Sequence, residues 1–485
     1  MSGGNYKLIQ IGEREQEERE QLLPSDEPKT QCCTPTRFTI STLAGLVCLL
    51  TAVLFCLIRW PIRRPWCDNM GREGVMEPGP QDTLLGLISD IHLNLHPDEC
   101  VGQSSSEYGV FGCDSTLGLL NLTLKDMVTK LPGSKSRVLV MLGDAAQHQP
   151  ADTWDYKVTL DSISSVFKQF QHHFPSTPVF PTVGNNDLPA HNTVPDISWY
   201  TSLLKMFEPA ITRGHKVTLP DNFREIFMYG GYYSALFADK FTVISLNTNL
   251  FSASVQDRSS QREYAVSHLQ WLSDTLDAVT GRVVIIGHIP PTLSLYALYH
   301  NKVAKVSWRL EYFENFREIY RRHHEKVIAM LFGHEHQDTF VVERNSGVDM
   351  ATFTFPSVSP IYSGQPSYGI AVIQNHGNER KLKDIFTYHT WLDYYTRLRI
   401  EPKFLTYRSF GQIFRLNELT PEGLFNKTKN IIEESDGMRS FMAVKGKVYQ
   451  ERAVPMISPH LYYCYTTNFN IAAFRSVYRK FWLRR

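Results

Sequence analysis

The stretch TLLGLISDIH, Thr83 to His92, is decisive for the fold because an apolar run ends there in an aspartate and a histidine. Thr83 to Ile88 is a short apolar run, which is typical of a buried β-strand. Asp90 and His92 follow it, two residues apart. Taken alone, such a pair is more often an ordinary polar turn than a pair of metal ligands. The interpretation therefore depends on whether similar residues follow other strands.

Apolar runs with strand character recur along the chain, and all but one end in polar residues that can bind metal. The exception is FTVISLN, Phe241 to Asn247. The others are Arg137 to Leu142, Pro178 to Val183, Arg282 to Gly287 and Lys326 to Gly333. Amphipathic segments such as Ser259 to Leu276 lie between them. Buried strands separated by helices predict a layered α/β fold.

The polar residues at these strand ends form a set of metal-ligand types. Because ligands bind outside the carboxyl ends of strands in open α/β sheets, we expect the set to converge in one crevice. Asp144 is the candidate bridge, since a shared carboxylate can hold two cations about 3.5–4 Å apart. Imidazoles suit zinc, iron and manganese, so we predict two divalent cations, with zinc favoured. The candidate ligands are Asp90, His92, Asp144, Asn185, His288, His334 and His336.

Glycine directly precedes four of these ligands. The four glycines are Gly143, Gly184, Gly287 and Gly333. We expect them to permit sharp turns straight out of the strands, because glycine adopts backbone conformations that other residues avoid.

The composition is that of a globular protein with one apolar exception. The 50 Lys and Arg residues balance 49 Asp and Glu residues, so no nucleic-acid binding is expected. Phe38 to Ile58 is an uncharged stretch of 21 residues, long enough to span a bilayer as a signal anchor. A cleaved signal peptide is the alternative, but its apolar core is usually shorter and nearer the start.

The orientation of this span depends on features beyond it. Basic residues on both sides of the span give the positive-inside rule no support for a cytosolic N-terminus. Glycosylation sequons at Asn121 and Asn426 favour a luminal C-terminal part. Cys100 and Cys113 flank a short loop rich in Gly and Ser and could form a disulfide. We therefore predict a single-pass type II membrane protein.

The first 37 residues are polar and acidic, which is typical of a disordered tail. Within them, Glu18, Leu22 and Leu23 resemble an acidic dileucine signal that clathrin adaptors bind, although a charged helix can end in two leucines by chance. The signal predicts the lysosomal or vacuolar membrane, with the cell surface or another acidic organelle as alternatives. The predicted division is a tail at 1–37, a span at 38–58, a stalk at 59–81, a catalytic domain at 82–385 and a C-terminal helical region at 386–485 that packs on it.

In this order, the motifs D-x-H, G-D, G-N-x-D, G-H and G-H-x-H resemble the calcineurin-like metallophosphoesterases. The resemblance runs from about Leu84 to Phe340. It implies a β-sandwich flanked by helices and an enzyme that hydrolyses phosphate esters or anhydrides with two metals. It also implies two ligand sets that share Asp144: Asp90, His92, Asp144 and His336 for one metal, and Asp144, Asn185, His288 and His334 for the other.

Finer features resemble one branch, the acid-sphingomyelinase-like phosphodiesterases and the vacuolar endopolyphosphatases. They are GDAAQH, GHIPP, YGVFGCDS and FPSVSPIYSGQPSYG. The resemblance implies that His148, in GDAAQH, contacts the phosphate or the leaving oxygen. GNND followed by PAHN looks more like the endopolyphosphatases.

One departure from the family pattern bears on the substrate. Asn186 stands where most members have the histidine that is the usual candidate for protonating the leaving group, and an amide cannot act as an acid. His148 or a metal-bound water would then have to protonate the leaving group, unless the leaving group needs little help. A phosphate leaving from a phosphoanhydride needs less protonation than an alkoxide, so we predict an endopolyphosphatase acting on inorganic polyphosphate. The alternative is a phosphodiesterase acting on nucleotides or phospholipid headgroups. A receptor built on an inactive fold is a third class, which the complete ligand set disfavours.

Overall fold

The computed structural model describes residues 76–433, except 98–99, 101–106, 134, 301–302, 346, 363, 377–378 and 407–408, together with residues 465–467. The predicted tail with Glu18, Leu22 and Leu23, the predicted span and most of the stalk lie outside these residues. Within them, no helix has both the length and the apolar character needed to cross a bilayer.

Two β-sheets form the centre of the described region. The strands are β1 Thr83–Ile88, β2 Ser136–Met141, β3 Val179–Pro181, β4 Val217–Thr218, β5 Tyr233–Phe237, β6 Phe241–Ser245, β7 Val283–Ile286, β8 Val327–Phe332, β9 Thr339–Asn345, β10 Val348–Thr354, β11 Ser367–His376 and β12 Glu379–His389. One sheet has the order β12-β11-β1-β2-β3 and the other β4-β5-β6-β7-β8-β10-β9. Strands β1 to β3 are parallel, as are β6, β7, β8 and β10, so each set ends at one edge of its sheet.

Seven helices lie between the strands, and three follow the last strand, β12, among the described residues. They are α1 Leu117–Lys130, α2 Tyr156–His173, α3 Ile197–Ile211, α4 Phe223–Gly230, α5 Arg258–Ala278, α6 Leu295–His300, α7 Leu310–His323, α8 Leu392–Leu398, α9 Phe410–Phe414 and α10 Pro421–Glu433. Aspartate caps three of the longer helices: the side chains of Asp155, Asp196 and Asp257 accept backbone N–H groups at the starts of α2, α3 and α5. These bonds satisfy donors that have no partner inside the helix, which fixes where each helix begins.

All six predicted strands are present, with ends within two residues of the prediction, and the predicted helix at 259–276 corresponds to α5. The mixed α/β class is thereby confirmed. The convergence of strand ends differs from the expectation, because β1 to β3 belong to one sheet and β7 and β8 to the other. The strand ends therefore meet at an edge that the two sheets share.

Apolar residues of both sheets form one hydrophobic core. Polar contacts also join the sheets, since Tyr233 Oη and Ser245 Oγ both donate to the carbonyl of Pro181, at 3.0 and 3.1 Å. The described C-terminal helices share this core, because Phe414 packs its ring 5.2 Å from that of Phe340. Strand β12 continues to His389, so the predicted boundary at 385 falls inside a strand.

Candidate metal centre

The seven candidate ligands lie where the parallel strands of both sheets end. Asp90 and His92 follow β1, Asp144 follows β2, Asn185 follows β3, His288 follows β7, and His334 and His336 follow β8. Hydrogen bonds join the loops of the two sheets. The backbone N–H of His334 donates to both carboxylate oxygens of Asp90, at 3.2 and 3.0 Å. The structure thus brings together residues as far apart in sequence as Asp90 and His336.

One cluster consists of Asp90, His92 and His336, whose ligand atoms all lie within 4.8 Å of one another. Asp90 Oδ1 is 3.3 Å from His336 Nε2. The Nε2 atoms of His92 and His336 face each other at 3.2 Å. Two imidazole nitrogens and a carboxylate oxygen therefore converge on one point.

The second cluster consists of Asp144, His288 and His334, again within 4.8 Å. His288 Nε2 lies 3.2 Å from Asp144 Oδ2 and 3.0 Å from Asn185 Oδ1. The same Asp144 oxygen is 3.6 Å from His92 Nε2 in the first cluster. Asp144 therefore has the position of a bridging carboxylate between two cation sites.

Backbone carbonyls orient two of the imidazoles. His92 Nδ1 donates to Ala146 O at 3.0 Å, and His288 Nδ1 donates to Leu142 O at 2.7 Å. Because Nδ1 carries the hydrogen in each ring, the lone pair of Nε2 is directed at the cluster, which is the usual arrangement of histidines that bind metal. This donor set of imidazoles, carboxylates and one amide suits a dinuclear site for divalent cations.

Electrostatics keeps both buried carboxylates ionised. Burial alone would raise the pKa of Asp90, but the charge of His336 and its hydrogen bond lower that pKa to about 2. Burial opposes ionisation of Asp144 as well, yet His288 holds the pKa of Asp144 well below its usual range. Ionised carboxylates are the form that binds cations.

The histidines of the two clusters differ in their pKa values. Burial, together with His148, lowers the pKa of His92 to about 3, and burial with His288 lowers that of His334 to about 4. Burial would also lower the pKa of His288, but the charge of Asp144 raises it to about 9. A proton and a cation therefore compete for His288 Nε2, whereas His92 and His334 are neutral and ready to bind.

The backbone at the ligands is strained. Five of them have a positive φ, in the left-handed region that residues with a Cβ rarely adopt. These ligands are Asp90 (49°), His92 (45°), Asp144 (54°), His334 (70°) and His336 (52°). Strained residues of this kind cluster at functional sites, where the surrounding structure holds them in place.

Three of the four glycines before the candidate ligands have a different role from the predicted one. Of the four, Gly143 alone has a positive φ, 86°. A Cβ on Gly184 would lie 2.1 Å from the backbone nitrogen of Asp144, and one on Gly333 would lie 2.1 Å from Ser89 Oγ. These glycines are needed for close approach between loops, not for their φ angles.

His148 lies beside the first cluster and is held by Asp114. The ring of His148 stacks on that of His92 with centroids 3.9 Å apart. Asp114 accepts from the backbone N–H of His148 at 2.7 Å and from Nδ1 at 2.8 Å. Burial would lower the pKa of His148, but Asp114 raises it above its usual value. Sequence reasoning missed Asp114, although it lies in the quoted GCDS segment.

Asn186, which stands at the position of the family's catalytic histidine, supports the candidate bridge. Its backbone N–H donates to Asp144 Oδ1 at 2.8 Å and its Nδ2 donates to Oδ2 at 2.7 Å. The residue is 3% exposed. Its amide therefore fixes the carboxylate that faces both clusters.

Asp187 is a second supporting residue that sequence reasoning missed. It is fully buried and accepts from the backbone N–H groups of Ala146, at 3.0 Å, and Gly184, at 2.9 Å. Burial and the nearby charge of Asp144 raise the pKa of Asp187 to about 7. Its carboxylate ties the loop after β2 to the loop after β3.

The remaining predicted sites lie away from these clusters. Cys100 and Cys113 form a disulfide, with Cα atoms 6.0 Å apart. Asn121 lies within α1, half-buried, with Oδ1 3.3 Å from His173 Nε2. Asn426 is exposed on α10. Glycosylation at the two asparagines stays a prediction.

Comparison with known proteins agrees with this geometry. The sequence profile of the calcineurin-like phosphoesterase family matches residues 84–338, just over half of the chain. Human cyclic GMP-AMP phosphodiesterase SMPDL3A is 24% identical over 410 residues, which cover 79% of this chain and 86% of that protein. Sphingomyelinase phosphodiesterase C of Dictyostelium discoideum is 25% identical over 300 residues, covering 60% of this chain and 64% of that one.

A third relative, mouse acid sphingomyelinase-like phosphodiesterase 3b, is 25% identical over 334 residues, covering 62% of this chain and 69% of that protein. The family profile spans every candidate ligand from Asp90 to His336. The chain therefore belongs to the calcineurin-like phosphoesterase family, in the branch of the acid-sphingomyelinase-like phosphodiesterases, and is a metal-dependent phosphoester hydrolase.

Proposed function

We propose that the chain hydrolyses phosphoanhydride bonds and that its leading substrate is inorganic polyphosphate, cleaved at internal bonds as by an endopolyphosphatase. The observation that carries the proposal is the side chain at position 186. Asn186 Nδ2 donates a hydrogen bond to Asp144 Oδ2 at 2.7 Å, and the amide has no acidic proton to transfer to a leaving group. A leaving phosphate, whose second pKa is about 6, departs from phosphorus without the protonation that an alkoxide requires.

Two divalent cations, with zinc favoured over iron or manganese, would be held by the two ligand sets. The first set is Asp90, His92, Asp144 and His336, and the second is Asp144, Asn185, His288 and His334. When bound, such cations polarise phosphate oxygens and lower the pKa of a coordinated water. The chain's own residues position these groups: Asn186 holds the Asp144 carboxylate, and Asp114 holds His148. His148 would donate a hydrogen bond to a phosphate oxygen.

A phosphodiesterase is the second candidate. The names of the relatives favour it, because they describe phosphodiesterases of cyclic GMP-AMP and of sphingomyelin type. In such an enzyme the leaving group is an alkoxide, so another donor would have to replace the histidine that is absent at position 186. Substrates of this class would be nucleotides or phospholipid headgroups.

The cellular setting is part of the proposal. We place the enzyme at the lysosomal or vacuolar membrane, anchored by residues 38–58 with the catalytic domain in the lumen. The tail would recruit clathrin adaptors through Glu18, Leu22 and Leu23. Sequons at Asn121 and Asn426 support a luminal domain.

The test uses the full chain, solubilised and loaded with zinc or manganese, and long-chain polyphosphate at mildly acidic and at neutral pH. Chain length is followed on a gel, and Asp144→Asn is the inactive control. Fragments of intermediate length that appear before free phosphate support endo-cleavage. Intact polyphosphate, together with hydrolysis of cyclic dinucleotide or sphingomyelin in parallel reactions, would overturn the proposal in favour of the phosphodiesterase.

A further inference from the structure

The disulfide between Cys100 and Cys113 closes a loop that ends directly before Asp114. Asp114 is the carboxylate that holds His148: its oxygens accept from the Nδ1 atom and from the backbone N–H of His148, at 2.8 and 2.7 Å. Both cysteines are half-buried, whereas Asp114 is buried. The disulfide is therefore one residue away from the group that orients His148.

Backbone hydrogen bonds hold the chain on the other side of Asp114. The N–H of Ser115 donates to the carbonyl of His92 at 3.0 Å, and the carbonyl of Ser115 accepts from the N–H of Asn94 at 2.9 Å. Cys100 follows His92 and Asn94 in the same connection from β1 to α1. This connection folds back on itself, so its first part holds Asp114 from both sides, through Ser115 and through the disulfide.

The chain before Cys113 contains glycine in conformations that other residues rarely adopt. Gly109 and Gly112 have φ angles of 76° and 85°. Glycine is the residue with the most conformational freedom to lose on folding, so such a segment gains most from a covalent tie. The N–H of Gly112 also donates to Pro360 O at 3.1 Å. We therefore expect the disulfide to decide how precisely Asp114 is placed.

The metal ligands next to this segment are held by other contacts. Asp90 N donates to Gly143 O at 3.1 Å, and His92 N donates to Asp144 O at 3.0 Å. These bonds join the loops after β1 and β2 and do not involve either cysteine. Loss of the disulfide should therefore displace Asp114 without releasing the ligands.

We propose that the Cys100–Cys113 disulfide positions His148 through Asp114, so that reducing the disulfide slows hydrolysis while the metal ligands stay in place. The inference rests on the metal-dependent phosphoester hydrolase activity and on the proposed contact between His148 and a phosphate oxygen. It does not depend on which phosphate substrate is cleaved. In reduction by a phosphine, the S–S bond breaks, both sulfurs become thiols, and the phosphine takes the oxygen of one water molecule and becomes its oxide.

The experiment compares the unaltered full chain with the double variant Cys100→Ser/Cys113→Ser, both loaded with zinc, on bis-para-nitrophenyl phosphate. Bound zinc, kcat and KM are measured. Zinc content should be unchanged, and kcat/KM should fall about three- to tenfold, less than the about 10²-fold cost of a full 1 Å misplacement. Phosphine should cause the same loss in the unaltered protein, and reoxidation should restore the rate. Phosphine should leave the rate of the double variant unchanged.

A double-mutant cycle separates positioning of His148 from general stabilisation. In Asp114→Asn the contact with His148 is already weakened, so reduction should cause no further loss of kcat/KM. Losses that multiply overturn the proposal, and so does an unchanged kcat/KM after complete reduction of the unaltered protein. These comparisons use reduction of folded protein, so they hold even if the double variant does not fold.

Leu276→Ala is the control for stability. It truncates a buried side chain of α5 and should lower the melting temperature without changing kcat/KM at a temperature well below the transition. A loss of kcat/KM in Leu276→Ala equal to that caused by reduction would show that lower stability explains the effect, and would overturn the positioning role.

Phosphate binding gives a measurement that needs no turnover. The affinity for inorganic phosphate is determined by calorimetry in the oxidised and reduced protein, with and without Asp114→Asn. Equal losses that do not multiply support the inference even if none of the proposed substrates is cleaved. An affinity lowered by Asp114→Asn and not by reduction overturns it. An affinity that neither change lowers contradicts the proposed phosphate contact of His148, and the inference falls with it.

Discussion

Replacing Gly184 by alanine should displace the carboxylate that faces both candidate metal clusters. A Cβ at this position would lie 2.1 Å from the backbone nitrogen and from Oδ1 of Asp144, and 2.8 Å from its Cα. Ordinary van der Waals contact begins at 3.4 Å, so the two loops must separate by about 1.3 Å. Gly184 has no positive φ, so the effect of the substitution is purely steric.

The displacement cannot be absorbed by the side chain alone. Asn186 holds both oxygens of Asp144, and Asp187 ties the backbone N–H of Gly184 to the loop after β2. Overpacking of such a region costs about 1–3 kcal/mol of folding free energy. A misplacement of about 1 Å at a catalytic group costs about 10²-fold in rate. We therefore expect a folded protein with lower metal content and a kcat reduced about 10²-fold.

The assay measures bound metal by elemental analysis, kcat and thermal unfolding on the same preparations. Gly281→Ala is the control, because nothing lies within 4 Å of a Cβ there. It should match the unaltered protein in all three measurements. If Gly184→Ala retains its full metal content and an unchanged kcat, the close approach of Gly184 to Asp144 does not constrain the bridge, and the reasoning fails.

Further substitutions probe the groups around the ligands. Asn186→Ala removes a hydrogen bond to the ionised Asp144 carboxylate, and such a bond contributes about 1.5–3 kcal/mol. We expect weaker metal retention and hydrolysis rates that fall equally for substrates with good and with poor leaving groups. A larger loss for poor leaving groups would contradict a purely supporting role. Asp114→Asn weakens the hold on His148 and should lower kcat/KM about tenfold without changing metal content, which titration with metal would check. Cys113→Ser removes the disulfide that closes a short loop, and such a disulfide stabilises the folded protein by about 3 kcal/mol. The melting temperature should therefore fall by several degrees. An unchanged melting temperature would contradict this stabilising role.

The sequence was sufficient to bring the candidate ligands together because their signals are local. Each ligand follows an apolar run within a few residues, and a short run with β-branched residues predicts a strand whatever its neighbours are. Asp114 follows no apolar run. Asp187 does follow one, in GNND, but that segment alone does not show that its carboxylate accepts backbone N–H groups from the loop after β2. Their contacts join residues 34 and 41 positions apart, so their roles depend on tertiary proximity that no single segment contains.

The prediction of strands missed β12, which is only partly covered. Strand β12, ERKLKDIFTYH, has exposed and half-buried residues over its first half and buried residues over its second. A search for continuous apolar runs detects strands that are buried on both faces, such as β1, but misses strands of this kind. Strand β11, which pairs antiparallel with β1, was missed as well, although its residues Ser367 to Ile373 are buried.

The strained backbone explains why the geometry of the candidate ligands depends on two neighbouring loops together. A residue other than glycine in the left-handed region costs of order 1–3 kcal/mol, and Asp90, His92 and Asp144 all adopt it. Hydrogen bonds between the loops after β1 and β2 offset this strain. Asp90 N donates to Gly143 O at 3.1 Å, and His92 N donates to Asp144 O at 3.0 Å. Each loop thus helps to hold the other in its strained conformation, so the positions of the D-x-H side chains depend on the neighbouring G-D loop.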